Sequence, residues 1–140
     1  MTKIVVCLEG VPCGKGRPQF ARTRGGVRTF TPQKTKTYEQ HLATAARRAI
    51  YGSPLTGPLR VHVTAVFPIP PSWPKKTRAR AEAGGVWHIA KPDLDNIYKI
   101  VGDGCNGVLW ADDATICSLS GVKFYGLEPA LWIEVEQIEI

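Results

Sequence analysis

The stretch KPDLDNIYKIVGDGC, residues 91–105, sets two aspartates, an asparagine and a lysine between a proline and an apolar-periodic run. On a helix of ~3.6 residues per turn, Asp95, Lys99 and Asp103 follow at i, i+4 and i+8 and share one stripe. Leu94, Ile97, Tyr98, Val101 and Cys105 fall on the other side. The spacing predicts an amphipathic helix over 94–105 whose polar face also carries Asn96. Asp93, just after Pro92, stands where the chain enters the helix, and its carboxylate can cap free amides there or turn towards Asp95.

Outward from this helix the pattern alternates between strands and helices. Residues 3–9, KIVVCLE, are β-branched and apolar and read as a strand; the loop GVPCGKGRP follows. PQFART and VRTFTP flank Arg24-Gly25-Gly26, a tight hairpin in which the glycine pair supplies positive backbone dihedrals. Thr31-Pro32 reads as the cap and first turn of a helix of about 18 residues, with Tyr38, Leu42, Ala45, Ala46, Ala49 and Ile50 at helical spacing and Gly52 as its stop. LRVHVTAVF, 59–67, alternates and is valine-rich, a half-buried or central strand. Residues 68–92, with five prolines, read as a long functional or mobile loop. A turn at Asn106-Gly107 leads to TICSLSGVKFYG and ALWIEVEQIEI, two closing strands joined near Gly126 to Pro129. This order predicts an α+β (mixed α/β) single domain over 1–140, with one mixed sheet, a hairpin and two main helices packed on the sheet.

Several function classes fall away on composition. The chain has 140 residues, 44% of them hydrophobic, which suits one compact domain. No stretch approaches the ~20 apolar residues that span a bilayer. The start, MTKIVVCLEG, turns strand-like rather than into a signal peptide, so a cytoplasmic location is expected. Cys7, Cys13, Cys105 and Cys117 match no paired zinc spacing, and His41, His62 and His88 are scattered, so the thiols read as reduced core or loop residues and a zinc site is not expected. The loop at 10–17 is not a P-loop, since its glycine spacing is wrong and Gly16 stands where a metal-binding hydroxyl belongs.

Charge is distributed unevenly within the net +6. Residues 10–91 hold fifteen Lys or Arg against two acids; residues 92–140 hold two Lys against nine acids. The first stretch predicts a surface for a polyanion, nucleic acid foremost, with Lys15 and Arg17 in the loop, Arg22, Arg24 and Arg28 in the hairpin, and Lys75, Lys76, Arg78 and Arg80 in the 68–92 connection. Trp73, Trp87 and Trp110 are candidates for stacking on unpaired bases, although packing is the commoner fate of at least two of them.

All five aspartates, Asp93, Asp95, Asp103, Asp112 and Asp113, lie within 93–113. A cap, a salt bridge from Lys99 and a turn account for them singly but not for their confinement to one window of a cationic chain. Carboxylates held together require protonation or a bound cation. Hard oxygen donors without Cys or His favour Mg²⁺, with Mn²⁺ able to substitute. A divalent ion in a basic protein points to phosphodiester hydrolysis.

The stretch KPDLDNIYKIVGDGCNGVLWADDATI resembles the RusA family of Holliday junction resolvases, endonucleases typical of phages and prophages. The likeness rests on D-L-D-N, a lysine four beyond the second Asp, an Asp four beyond that, and D-D before a strand. It extends to GKGRPQF, TPQKTKTYE and SWPKK…H…KPDLDN. The resemblance implies a homodimer that grips a four-way DNA junction in the bacterial host cytoplasm and makes paired, symmetrical Mg²⁺-dependent nicks. Carried over by motif position, Asp93, Asp95 and Asp113 bind the metal, Lys99 is a catalytic cation, and Asp103 and Asp112 play supporting parts. The sequence departs from the pattern in placing Gly102 and Gly104 beside Asp103. Each interior glycine costs a helix roughly 0.5–1 kcal/mol, so the helix ends early or packs closely there. A flap or fork nuclease and a non-catalytic DNA-binding protein remain as alternatives.

Overall fold

The computed structural model describes residues 3–17 and 19–139. Pro18 and Ile140, which the sequence places in the hairpin and the last strand, lie outside the described residues. A four-stranded sheet is built from β1 (Lys3–Glu9), β4 (Leu59–Pro68), β5 (Ile116–Gly126) and β6 (Ala130–Gln137), in the order β1-β6-β4-β5. β6 runs antiparallel to both β1 and β4, whereas β5 runs parallel to β4. The closing strands therefore do not pair with each other; they flank β4, and the turn between them arches over its end.

One face of this sheet carries the core. Leu59, Val61, Val63, Ala65 and Phe67 of β4 are buried, as are Leu131, Ile133 and Val135 of β6. Arg60, His62 and Thr64 alternate onto the other face. Against the buried face pack α1 (Gln33–Ala49) and α3 (Leu94–Cys105), the latter through Ile97, Ile100, Val101 and Cys105. Burial of each such aliphatic side chain contributes roughly 1.5–3 kcal/mol. The mixed sheet, hairpin and single α+β domain expected from sequence are all present.

Three local expectations need correction. The 68–92 connection is not structureless: α2 (Lys75–Glu82) begins after Pro74, is made of good helix formers, and stops before Gly84 at φ +84°. It escaped detection because only Ala81 of its eight residues is buried, so it carries no apolar period. Thr31 does not cap α1; Pro32 occupies that position, without a side-chain cap bond. In the hairpin of β2 (Gln19–Thr23) and β3 (Gly26–Phe30), Gly26 alone of the glycine pair takes a positive φ, +126°.

The two glycines in α3 have separate explanations. Gly104 brings α3 close to α1, since a Cβ there would stand 3.0 Å from Leu42 Cδ1 and 3.4 Å from the Glu39 Cα. Gly102 makes room for a carboxylate. The helix continues past both to Cys105, so the close-packing alternative is the one the chain adopts.

Candidate active site and nucleic-acid interface

The entry to α3 is fastened from behind. On β5, Lys123 Nζ donates to the carbonyls of Ala90 and Pro92, at 2.8 and 2.9 Å. His88 stacks on Phe67 at a ring separation of 3.8 Å and an angle of 10°. Trp87 forms an isolated bridge to Phe124 of β5. The segment that presents Asp93 is thus tied to the sheet. Asp93 takes the N-cap position of α3 in an extended conformation, but its exposed carboxylate makes no cap hydrogen bond.

Along the helix, Asp95 Oδ2 lies 3.4 Å from Lys99 Nζ, the i,i+4 pair the spacing predicts. Both side chains are more than half exposed, so the pair holds geometry more than it adds stability. Asp103 accepts from Lys15 Nζ at 3.0 Å, and the same ammonium bonds Glu39 of α1. The three groups tie the 10–17 loop to both helices.

Asp113 reaches the same face from outside the helix. A short 3₁₀ turn, Asp113–Thr115, precedes β5 and is capped by Asp112, whose Oδ1 accepts from the Ala114 amide at 2.9 Å. Asn106, just past α3, accepts from the Asp113 amide through Oδ1 at 3.0 Å. The Asp113 carboxylate then lies over Gly102, with Oδ2 3.3 Å from the position of a Cβ. Gly102 is seven residues beyond Asp95, hence on the same helical stripe and about 10 Å further along at ~1.5 Å rise per residue.

This placement crowds negative charge. Desolvation first, then a hydrogen bond and repulsion from Asp112 and repulsion from Asp103, push the Asp113 carboxyl above its ordinary range. A carboxylate disfavoured by its neighbours is relieved by a cation, and the oxygen-only donor set of the face fits Mg²⁺ or Mn²⁺. Among the described residues, no three Asp, Glu, His or Cys side chains already converge as a metal group. Asp93 and Asp95 sit at one end of the stripe and Asp113 towards the other.

The cations fall into distinct groups. Arg22 and Arg28 stand on a two-stranded ribbon whose ten residues are all exposed, with Arg24 in its turn, a shape that enters a DNA major groove. Lys75, Lys76 and Arg80 are exposed on α2, whereas Arg78 is half-buried with its Nε atom enclosed and unpaired. Lys15 is neutralised by Glu39 and Asp103, which leaves Arg17 as the loop's outward cation. Of the tryptophans, Trp110 is fully buried, Trp73 packs edge-on against Tyr125, and Trp87 is 69% exposed beside the fully open Ile89. Sequence reasoning missed Lys34 and Lys91, which line the same cleft as Arg17 and Asp93; Lys34 lies in the first turn of α1 and Lys91 directly precedes Pro92, and no motif marks either.

Two comparisons with known proteins bear on the family of the chain. The family model described as endodeoxyribonuclease RusA matches residues 9–136. The chain is also 32% identical over 140 residues to the uncharacterized protein YqaN of Bacillus subtilis (strain 168), covering 99% of both chains.

Proposed function

The chain belongs to the endodeoxyribonuclease RusA family, and from that premise we propose that it resolves four-way DNA junctions by paired, symmetrical, Mg²⁺-dependent nicks made by a homodimer. The observation that carries the reading is the single face of α3 on which Asp95, Lys99 and Asp103 are joined by Asp113 from the next element. Asp93 and Asp95 at one end of the stripe and Asp113 towards the other are the carboxylates that would hold Mg²⁺, with Mn²⁺ able to replace it. Bound there, the metal would supply an activated water and neutralise charge developing on phosphorus.

The protein's own groups do the rest. Lys99, one turn from Asp95, presents a cation to the pentavalent phosphorus, where negative charge grows. Asp112 and Asp103 raise the charge density that attracts the ion. The ribbon arginines and the α2 cations hold the DNA arms, and Trp87 stacks on a base left unpaired at the branch. We place this work on DNA in a bacterial cytoplasm and propose a phage or prophage origin for the gene; no described helix is long and apolar enough to cross a membrane.

The test is cleavage of a labelled four-way junction, a fork and linear duplex with Mg²⁺ or EDTA. Symmetrical nicks confined to the junction support the reading. Equal cutting of the fork assigns the chain to branched-DNA nucleases more broadly, and tight binding without any cutting assigns it to non-catalytic DNA-binding proteins.

A further inference from the structure

Between the 12–17 loop, the start of α1 and the segment 91–96 lies an open cleft of about 740 Å³. We propose that this cleft is a subsite for the phosphodiester backbone of one DNA strand, gripped by Arg17, Lys34 and Lys91. The proposal rests on the nuclease reading only for the identity of its ligand as DNA.

The three cations come from three separate walls. Among the described residues, none of them has a carboxylate within ion-pair distance, in contrast to Lys15 beside them, which Glu39 and Asp103 neutralise. The one acid of the lining, Asp93, sits with Asn96 where the cleft meets α3. Uncompensated positive charge in a concave site calls for an anion.

The walls are fixed before a ligand arrives. Lys15 donates its amide to the Asn96 carbonyl at 2.9 Å, and the Gly16 amide donates to the buried Thr35 hydroxyl at 3.1 Å. A Cβ at Gly14 would stand 2.7 Å from Pro92 Cβ, and one at Gly16 2.7 Å from Thr35 Oγ1, so only glycine lets the loop sit this close. Lys123 clamps the carbonyls on either side of Lys91. Side chains sprung from such a frame lose less freedom on binding than those of a mobile loop.

Backbone rather than base is the ligand because, among the described residues, the lining contains no aromatic side chain and only a few small apolar groups. Only the Arg17 guanidinium offers a plane to a base there, whereas all three cations read phosphate without regard to sequence. A strand laid in the cleft passes Asp93, which places the next phosphodiester at the entry of the acidic face. The cleft would thus set which phosphate is presented.

The experiment uses the full chain and a four-way junction in EDTA, where no strand is cut, and measures affinity over a range of NaCl. Lys34→Gln and Lys91→Gln are each expected to reduce the slope of log K against log salt by about 0.9, and the pair by about 1.8. Arg48→Gln, at the far end of α1, is the charge-matched control and leaves the slope near that of the parent. Thermal unfolding confirms that the variants fold. A double variant whose slope falls no further than that of Arg48→Gln overturns the subsite. Cleavage assays separate the two readings: a reduced slope in a protein that cuts nothing removes the nuclease and keeps the subsite, and an unchanged slope in a protein that cuts removes the subsite alone.

Discussion

The Oδ2 atom of Asp113 lies 3.3 Å from the point where a Cβ on Gly102 would stand. That contact joins the turn before β5 to the acidic stripe of α3, and it explains a glycine in the interior of a helix. Gly102→Ala removes a residue that costs a helix up to ~1 kcal/mol, while pushing Asp113 outward by a few tenths of an ångström or more. The expected outcome is a protein of equal or higher thermal stability whose junction cleavage falls on the order of 10- to 100-fold, since small misplacements of reacting groups are expensive. Unfolding midpoints and single-turnover cleavage rates check both halves. Gly104→Ala, which drives a methyl towards Leu42, should instead lower stability.

The crowding of Asp113 has a pH signature. Its folded-state pKa is raised, so the native protein binds the proton more tightly than the unfolded chain does. The group therefore costs stability at neutral pH, and that cost disappears as pH falls through the raised value and then the ordinary 3.8. Asp112→Asn removes the hydrogen-bond partner and one like charge. Carbon-detected NMR titration should show the Asp113 pKa moving down towards the ordinary value in that variant.

His88 gives a shift of the opposite sign. Burial and the Lys123 ammonium lower its pKa, and its Nδ1 atom is enclosed without a partner. Because the folded pKa is depressed, the stability it contributes is present above about pH 6.5, the ordinary value, and is lost as pH falls below it. His88→Phe keeps a ring on Phe67 and removes the unpaired nitrogen. Denaturant unfolding should show a gain of roughly 1–3 kcal/mol and a flatter acid limb.

Trp87 is the most exposed of the four tryptophans, ahead of Trp132 on β6 at 43%. With its ring 69% exposed, Trp87→Ala should change stability by no more than about 0.5 kcal/mol. Loss of one base stack is worth ~1–3 kcal/mol, so junction affinity should fall about 5- to 150-fold while affinity for unbranched duplex stays within twofold. Equal losses on both substrates would assign Trp87 to general DNA contact instead.

Much of this was legible in the sequence because the deciding signals are periodic. The α3 stripe follows from a spacing of four, and β4 announces itself by alternating valines. What stayed hidden depends on contacts between distant segments. No local pattern places β5 parallel to β4 with β6 on the other side, and α2 has no apolar period to find. The meeting of Asp113 with Gly102 joins residues eleven positions apart through a turn held by Asn106, and the pairing of Lys15 with Glu39 and Asp103 spans three elements. Lys15, Lys34 and Lys91 all belong to the basic 10–91 stretch, and only the fold shows that the charge of Lys15 is matched by Glu39 and Asp103.

The reading stands or falls on whether the face carrying Asp95 is a metal-dependent cutting site. The direct measurement compares the parent protein with Asp95→Asn on a labelled four-way junction in Mg²⁺, with binding followed in parallel in EDTA. Asp95→Asn is expected to bind the junction as tightly as the parent and to make none of its symmetrical nicks. Undiminished nicking by Asp95→Asn, or a parent that binds the junction and never cuts it, would contradict the account.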